Sequence, residues 1–158
     1  MKLTTFTDYS LRVLIFLAAR PGRRATIAET AAAFGISQNH LTKVVHFLAH
    51  QGWIETVRGK GGGMVLAQPA GRILIGRVVR ATEGAVLAAE CFSEEDSACA
   101  IAPVCRLRGV LGEAIAAFHA VLDRYTLADL ASNGPELVRM LFQGVPMASR
   151  VGAREIAA

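Results

Sequence analysis

The chain has 158 residues, of which 53% are hydrophobic, 19% charged and 6% aromatic, a balance that excludes collagenous, low-complexity and strongly disordered classes and allows one domain with an appended arm. The longest apolar stretch near the start, 13–19, is fenced by Arg12 and Arg20 and falls far short of the roughly 20 residues of a membrane span. The net charge of +4 conceals an asymmetry: residues 1–80 hold eleven Lys or Arg against three acids, a net +8, whereas residues 81–158 hold six against ten, a net −4. A basic half joined to an acidic one directs the first half toward a polyanion. No basic segment followed by an apolar one opens the chain, so a cytoplasmic location with no membrane partner is expected, and there the three cysteines should be reduced.

In chain order, the spacing of Leu11, Leu14, Ile15 and Ala18 predicts a first helix over about residues 7–19, stopped by Pro21-Gly22. A second, short helix starts at Thr26, whose hydroxyl can cap while Glu29 reaches back, and ends before Gly35. A third starts at Ser37 as N-cap and runs to about His50, burying Leu41, Val44, Val45 and Leu48, with Gly52 as its stop. Two short helices joined by the tight turn Phe34-Gly35-Ile36-Ser37 inside the basic half match a helix-turn-helix, in which the second helix enters the major groove of DNA. On this reading Gln38, Asn39, His40, Thr42, Lys43 and His46, at the N-terminal and outward positions of the third helix, are candidates to meet base edges and phosphates. A solvated polar helix face accounts for the same residues equally well until the next feature is reached.

That feature is 53–58, rich in β-branched and large apolar residues, then Gly59-Lys60-Gly61-Gly62-Gly63, then Met64-Val65-Leu66. It reads as a β-hairpin with a flexible tip from which Arg58 and Lys60 project, a wing able to reach phosphates or a minor groove. A phosphate-binding loop is excluded, because its Lys would follow the last glycine and precede a helix, whereas Lys60 precedes three glycines and a strand follows. A helix over 75–83, stopped by Gly84, links the halves. Residues 102–130 carry the longest helical pattern, with Leu107, Leu111, Ala114, Phe118, Val121 and Tyr125 alternating four and three apart; with Val110, Ile115 and Leu122 beside it, this seam offers more apolar area than one small domain hides, and a homodimer is expected. The expected fold is mainly α with a small β-hairpin: a winged helix-turn-helix domain (1–83), a cysteine loop (84–105), a long dimerisation helix (103–131) and a poorly ordered tail (132–158).

All three cysteines, Cys91, Cys99 and Cys105, fall within fifteen positions. The first two are separated by a polar stretch, so core filling is disfavoured. Pro103 opens the long helix with Cys105 in its first turn, the end that favours anionic side chains. Three clustered thiols suit an iron-sulfur cluster that takes a fourth ligand from elsewhere, a zinc site, or a free redox centre, and spacing alone leaves the three open. No metalloprotease, nucleophile-elbow or dinucleotide motif is present, so an enzyme is not expected.

Several segments together resemble one family: residues 3–12 (LTTFTDYSLR), 36–41 (ISQNHL), 56–63 (TVRGKGGG), 101–108 (IAPVCRLR) and 123–127 (DRYTL). They are similar to the nitric-oxide-sensing NsrR repressors within the Rrf-type winged-helix regulators, a resemblance covering about residues 1–131. It implies a homodimeric repressor of double-stranded operator DNA that carries one iron-sulfur cluster, of two or four irons, per subunit through Cys91, Cys99 and Cys105. Nitric oxide attacks the cluster in such proteins and releases the DNA. An acid at the position of Asp8 can serve there as fourth ligand from the partner subunit; read from its own position, Asp8 is simply an acid in the first turn of the first helix. The resemblance also assigns Ser37, Gln38, Asn39, His40, Lys43, Arg58 and Lys60 to DNA reading. The alternative is a sister winged-helix regulator that senses cluster supply, iron or oxidative stress.

Overall fold

A computed structural model of the chain describes residues 2–84, 99–101 and 104–142. Helix α1 spans Thr5–Ala18 and lies at the centre of the domain, with Val13 and Leu14 wholly buried. Sequence spacing places its start at about Thr7; it begins earlier because the Thr4 hydroxyl accepts a hydrogen bond from the Thr7 amide and caps the first turn. Helix α2 (Ile27–Phe34) follows the capping box read from its sequence: Thr26 and Glu29 satisfy each other's amides, and Gly35 ends the helix at φ +65°.

Helix α3 (Gln38–His50) buries Leu41, Val44, Val45 and Leu48 against α1 and α2, as its periodicity predicts. Ser37 occupies the N-cap position, yet its side chain makes no capping hydrogen bond; that hydroxyl stays exposed. Strands β1 (Ile54–Val57) and β2 (Gly63–Leu66) pair antiparallel from Ile54 opposite Leu66 to Val57 opposite Gly63, the expected hairpin. Ala25 adds a bridge to Met64, tying the α1–α2 connection to the outer edge of β2. A 3-10 turn (Ala70–Arg72) then leads into α4 (Ile75–Glu83), whose Val78 and Val79 press on α1 and whose end is set by Gly84.

The C-terminal half departs from its sequence pattern in two places. The helix expected over 103–131 is α5, Arg106–Leu122, followed by a separate turn, α6, at Leu127–Leu130. The break has a tertiary cause. The Tyr125 carbonyl accepts the Ile75 amide at 3.0 Å, the Leu127 amide donates to Ile73 at 2.8 Å, and the Asp123 carboxylate meets Arg80 above Gly76, where even a methyl group would collide with it. Those backbone groups cannot also continue a helix, and Thr126 and Asp129 restart one with their own capping box. Tyr125 therefore lies in the turn and not on the helical seam.

The tail expected from Ser132 onward contains α7, Gly134–Phe142. Phe142 packs its ring 4.7 Å from Phe16 with the Arg20 guanidinium 3.7 Å above its centre, so this segment is held by the core of the domain. Residues 143–158, the remainder of that tail, lie outside the described residues.

Candidate nucleic-acid interface and cysteine segment

Helix α3 is two-sided for a physical reason. Its apolar residues recur at helical spacing and are withdrawn into the core, which leaves Gln38, Asn39, His40, Thr42, Lys43 and His46 in solvent. The Thr42 hydroxyl is turned back to the Gln38 carbonyl at 2.9 Å, whereas Gln38 and Asn39 project from the first turn, and the His40 ring leans toward Tyr9 of α1 at 6.4 Å. The tip of the hairpin, residues 58–62, overhangs the last strand pair, and Arg58 and Lys60 are exposed on it. Neither has a salt-bridge partner among the described residues. The seven expected DNA-binding residues are thus all solvent-exposed, five at the start of α3 and two on the wing.

Asp8 lies in the first turn of α1, half-exposed, and gives both carboxylate oxygens to Arg12: Nη2 to Oδ2 at 2.9 Å and Nε to Oδ1 at 3.0 Å. The Arg12 guanidinium also lies over the Phe34 ring, 5.7 Å from its centre. Asp8, Tyr9 and Arg12 share with Phe34 and Gly35 the wall of a groove of about 580 Å³. The first turn of α1 therefore borders the turn of the helix-turn-helix motif, a proximity that no sequence spacing reveals.

Of the cysteines, Cys99 is exposed, and Cys105 is half-buried at the N-cap position of α5, one residue before the helix instead of inside its first turn. Both thiols are free. Cys91 and the rest of 85–98, together with Pro103, lie outside the described residues. No three His, Cys, Asp or Glu side chains converge among the described residues. The donor set fits an iron-sulfur group in kind: two free thiols six positions apart and an accessible carboxylate whose present partner is a displaceable surface arginine.

One residue that contacts the candidate wing escaped the sequence reading. Arg24 reaches the wing, donating from Nη1 to the Gly61 carbonyl at 3.1 Å; its only sequence signal was the pair Arg23-Arg24 just ahead of the Thr26 cap.

Comparison with known proteins agrees with this architecture. A family model described as "Rrf2: Iron-dependent Transcriptional regulator" matches residues 3–133. The transcriptional regulator NsrR of Bacillus subtilis is 51% identical over 142 residues, covering 89% of this chain and 97% of that protein, and NsrR of Geobacillus kaustophilus is 49% identical over the same length. Among solved structures, the oxidized form of CymR from Staphylococcus aureus superposes with a TM-score of 0.65 at 29% identity, over 83% of this chain and 96% of that one. T. potens IscR shares the fold with a TM-score of 0.69 at 23% identity, over 95% of this chain and 96% of that one. The winged helix-turn-helix, its basic wing and these matches together establish that the chain belongs to the Rrf2 family and is a transcriptional regulator, not an enzyme.

Proposed function

We propose that this protein is a homodimeric repressor whose grip on operator DNA is controlled by an iron-sulfur group held by Cys91, Cys99 and Cys105, with Asp8 of the partner subunit as fourth ligand, and that nitric oxide is its signal. The observation that carries the reading is the groove in which Asp8 and Arg12 face Phe34 and Gly35 of the helix-turn-helix turn. Whatever engages Asp8 there acts on α1 and on the DNA-reading motif together. When bound, the iron-sulfur group supplies a soft centre that nitric oxide attacks.

The chain's own residues do the rest. Ser37, Gln38, Asn39, His40 and Lys43 present hydrogen-bonding groups from the start of α3, and Arg58 and Lys60 add phosphate contacts from the wing. Arg12 neutralises Asp8; once Asp8 is engaged elsewhere, the guanidinium keeps its contact with Phe34. Dimerisation is supported by α5, where Leu107 and Val110 are each 61% exposed and Val121 is 45% exposed along one stretch of helix. The resemblance of the sequence motifs to nitric-oxide-sensing repressors supports nitric oxide as the effector, and the relatives named NsrR are consistent with it.

The test is an anaerobic titration of full-length, cluster-loaded protein with nitric oxide and, separately, with peroxide. Release is followed from a duplex that the same protein selected out of a random-sequence pool. Release by nitric oxide at stoichiometric dose supports the proposal. Release by peroxide alone would favour the sister reading, a sensor of oxidative stress or cluster supply. Cluster-free protein binding as tightly as the loaded form would overturn control by the cluster altogether.

A further inference from the structure

The strand pairing ends at Val57 and Gly63, so Arg58-Gly59-Lys60-Gly61-Gly62 overhangs the sheet. Within the overhang the Gly62 amide donates to the Gly59 carbonyl at 2.9 Å, and Gly59 and Gly61 adopt φ of +94° and +76°. A tip with three glycines in five residues loses much conformational freedom when ordered, and its own turn supplies a single hydrogen bond against that loss.

Beyond the packing of its strands on the core, hydrogen bonds from two adjacent residues restrain the hairpin near its tip. At the base, Ala25 exchanges backbone hydrogen bonds with Met64 at 3.0 and 2.7 Å. The approach is close enough that a side chain at Gly63 would stand 2.8 Å from the Ala25 carbonyl oxygen and 3.3 Å from the Arg24 Cβ. At the tip, the Arg24 guanidinium donates to the Gly61 carbonyl at 3.1 Å. Its neighbour Arg23 instead pairs with Glu29 at 3.0 Å. Gly61 immediately follows Lys60 and lies three residues beyond Arg58, so the bond restrains the short turn on which both cations sit.

We infer that Arg24 is a positioning residue for DNA binding: its guanidinium, anchored beside the Ala25–Met64 bridge, holds the glycine tip in the orientation from which Arg58 and Lys60 reach the phosphates. This rests on the reading of the hairpin as a DNA-contacting wing. Arg24 acts through Gly61 and not by touching DNA itself, which separates it from an ordinary basic contact. A phosphate-contacting arginine releases counterions and contributes about one unit to the slope of log affinity against log salt; a residue that orders a loop changes affinity without changing that slope.

The experiment uses full-length, cluster-loaded protein and the selected duplex, and measures affinity across a salt series for wild type, Arg24→Ala, the pair Arg58→Ala with Lys60→Ala, and the triple variant. Arg24→Ala is expected to weaken binding about fivefold to tenfold, the worth of one well-placed hydrogen bond, with an unchanged salt slope and unchanged thermal melting. It should have no further effect in the background lacking Arg58 and Lys60, because nothing then remains on the tip to position. In the free protein, backbone amide order parameters of Gly59, Gly61 and Gly62 should fall in Arg24→Ala. A slope reduced by about one would make Arg24 a phosphate contact and overturn the inference. An unaltered affinity in Arg24→Ala, beside a weakened Arg58 and Lys60 pair, would overturn it while leaving the wing reading intact. A silent Arg58 and Lys60 pair would instead defeat the wing reading on which it rests.

Discussion

Glu83, the last residue of α4, accepts hydrogen bonds from both the amide and the hydroxyl of Thr4, the N-cap of α1, at 2.7 and 3.1 Å across 79 positions of sequence. Beside this pair the buried Thr7 hydroxyl donates to Thr82 at 2.8 Å, and Thr82 donates to the Val78 carbonyl at 3.0 Å. A carboxylate at the amino end of α1 satisfies amide groups the helix leaves open and complements its dipole. The contact also joins the start of α1, which carries Asp8, to the residue from which the cysteine-bearing segment departs.

That pairing predicts a pH dependence. Partial burial on its own would raise the Glu83 pKa, but the Thr7 hydroxyl dipole beside the carboxylate and the hydrogen bonds from the Thr4 amide and hydroxyl outweigh it and hold the value below the ordinary 4.5. A carboxylate with a depressed folded-state pKa contributes stability that is fully present above the unfolded value and is lost as pH falls through the folded one. Glu83→Gln should therefore lower the melting temperature by about 2–4 °C at neutral pH. The gap from wild type should close as acid protonates Glu83 below 4.5, which calorimetry across a pH series checks.

DNA affinity should fall steeply with salt if the +8 half is the binding surface, because each phosphate contact releases counterions. Arg58→Ala and Lys60→Ala are expected to weaken binding to all sequences alike. Gln38→Ala and Asn39→Ala should instead change the preference among duplexes, by about 1–3 kcal/mol for each lost bidentate base contact. Fluorescence anisotropy with matched and mismatched duplexes distinguishes the two behaviours.

The exposed apolar face of α5 should hold a dimer without any metal, since its area does not depend on a bound group. Light scattering on chelator-treated protein should return a dimer at micromolar concentration. Leu107→Asp combined with Val110→Asp should return a monomer of unchanged helical content, because both side chains stand in solvent in the single chain.

Cys91→Ala, Cys99→Ala and Cys105→Ala should each lose the cluster and specific DNA binding while the fold and dimer survive. A coupling of about 3 kcal/mol between cluster and DNA corresponds to roughly 150-fold in affinity. Asp8→Ala should be gentler, retaining a more labile cluster, because water or a thiol can replace one oxygen ligand. Anaerobic visible spectra with iron and sulfide quantitation, run beside DNA binding, check both statements.

Local chemistry was enough to read the basic, N-terminal half. Thr26 with Glu29, Gly35, the spacing of Leu41, Val44, Val45 and Leu48, and the glycine tip between two β-rich runs each act within a few residues, and α2, α3, the hairpin and α4 stand where those signals place them. The exposed polar start of α3 was legible for the same reason: whatever the core does not claim from an amphipathic helix is left to solvent. The C-terminal half was decided at long range. A heptad-like pattern continues through Tyr125, but Ile73 and Ile75 take the backbone groups that would have extended the helix, and Asp123 fits only because position 76 is glycine. The Thr126 to Asp129 capping box marked that break in the sequence, and a longer apolar periodicity masked it. Helix α7 looked unstructured because its stability comes from Phe142 meeting Phe16 and Arg20, more than 120 positions away. The same holds for Thr4 with Glu83, Asp8 beside Phe34 and Arg24 beneath Gly61: sequence supplied the residue types, and only packing of α1 against its neighbours brought them together, because a side chain's partner is set by the path of the whole chain and not by its own few residues.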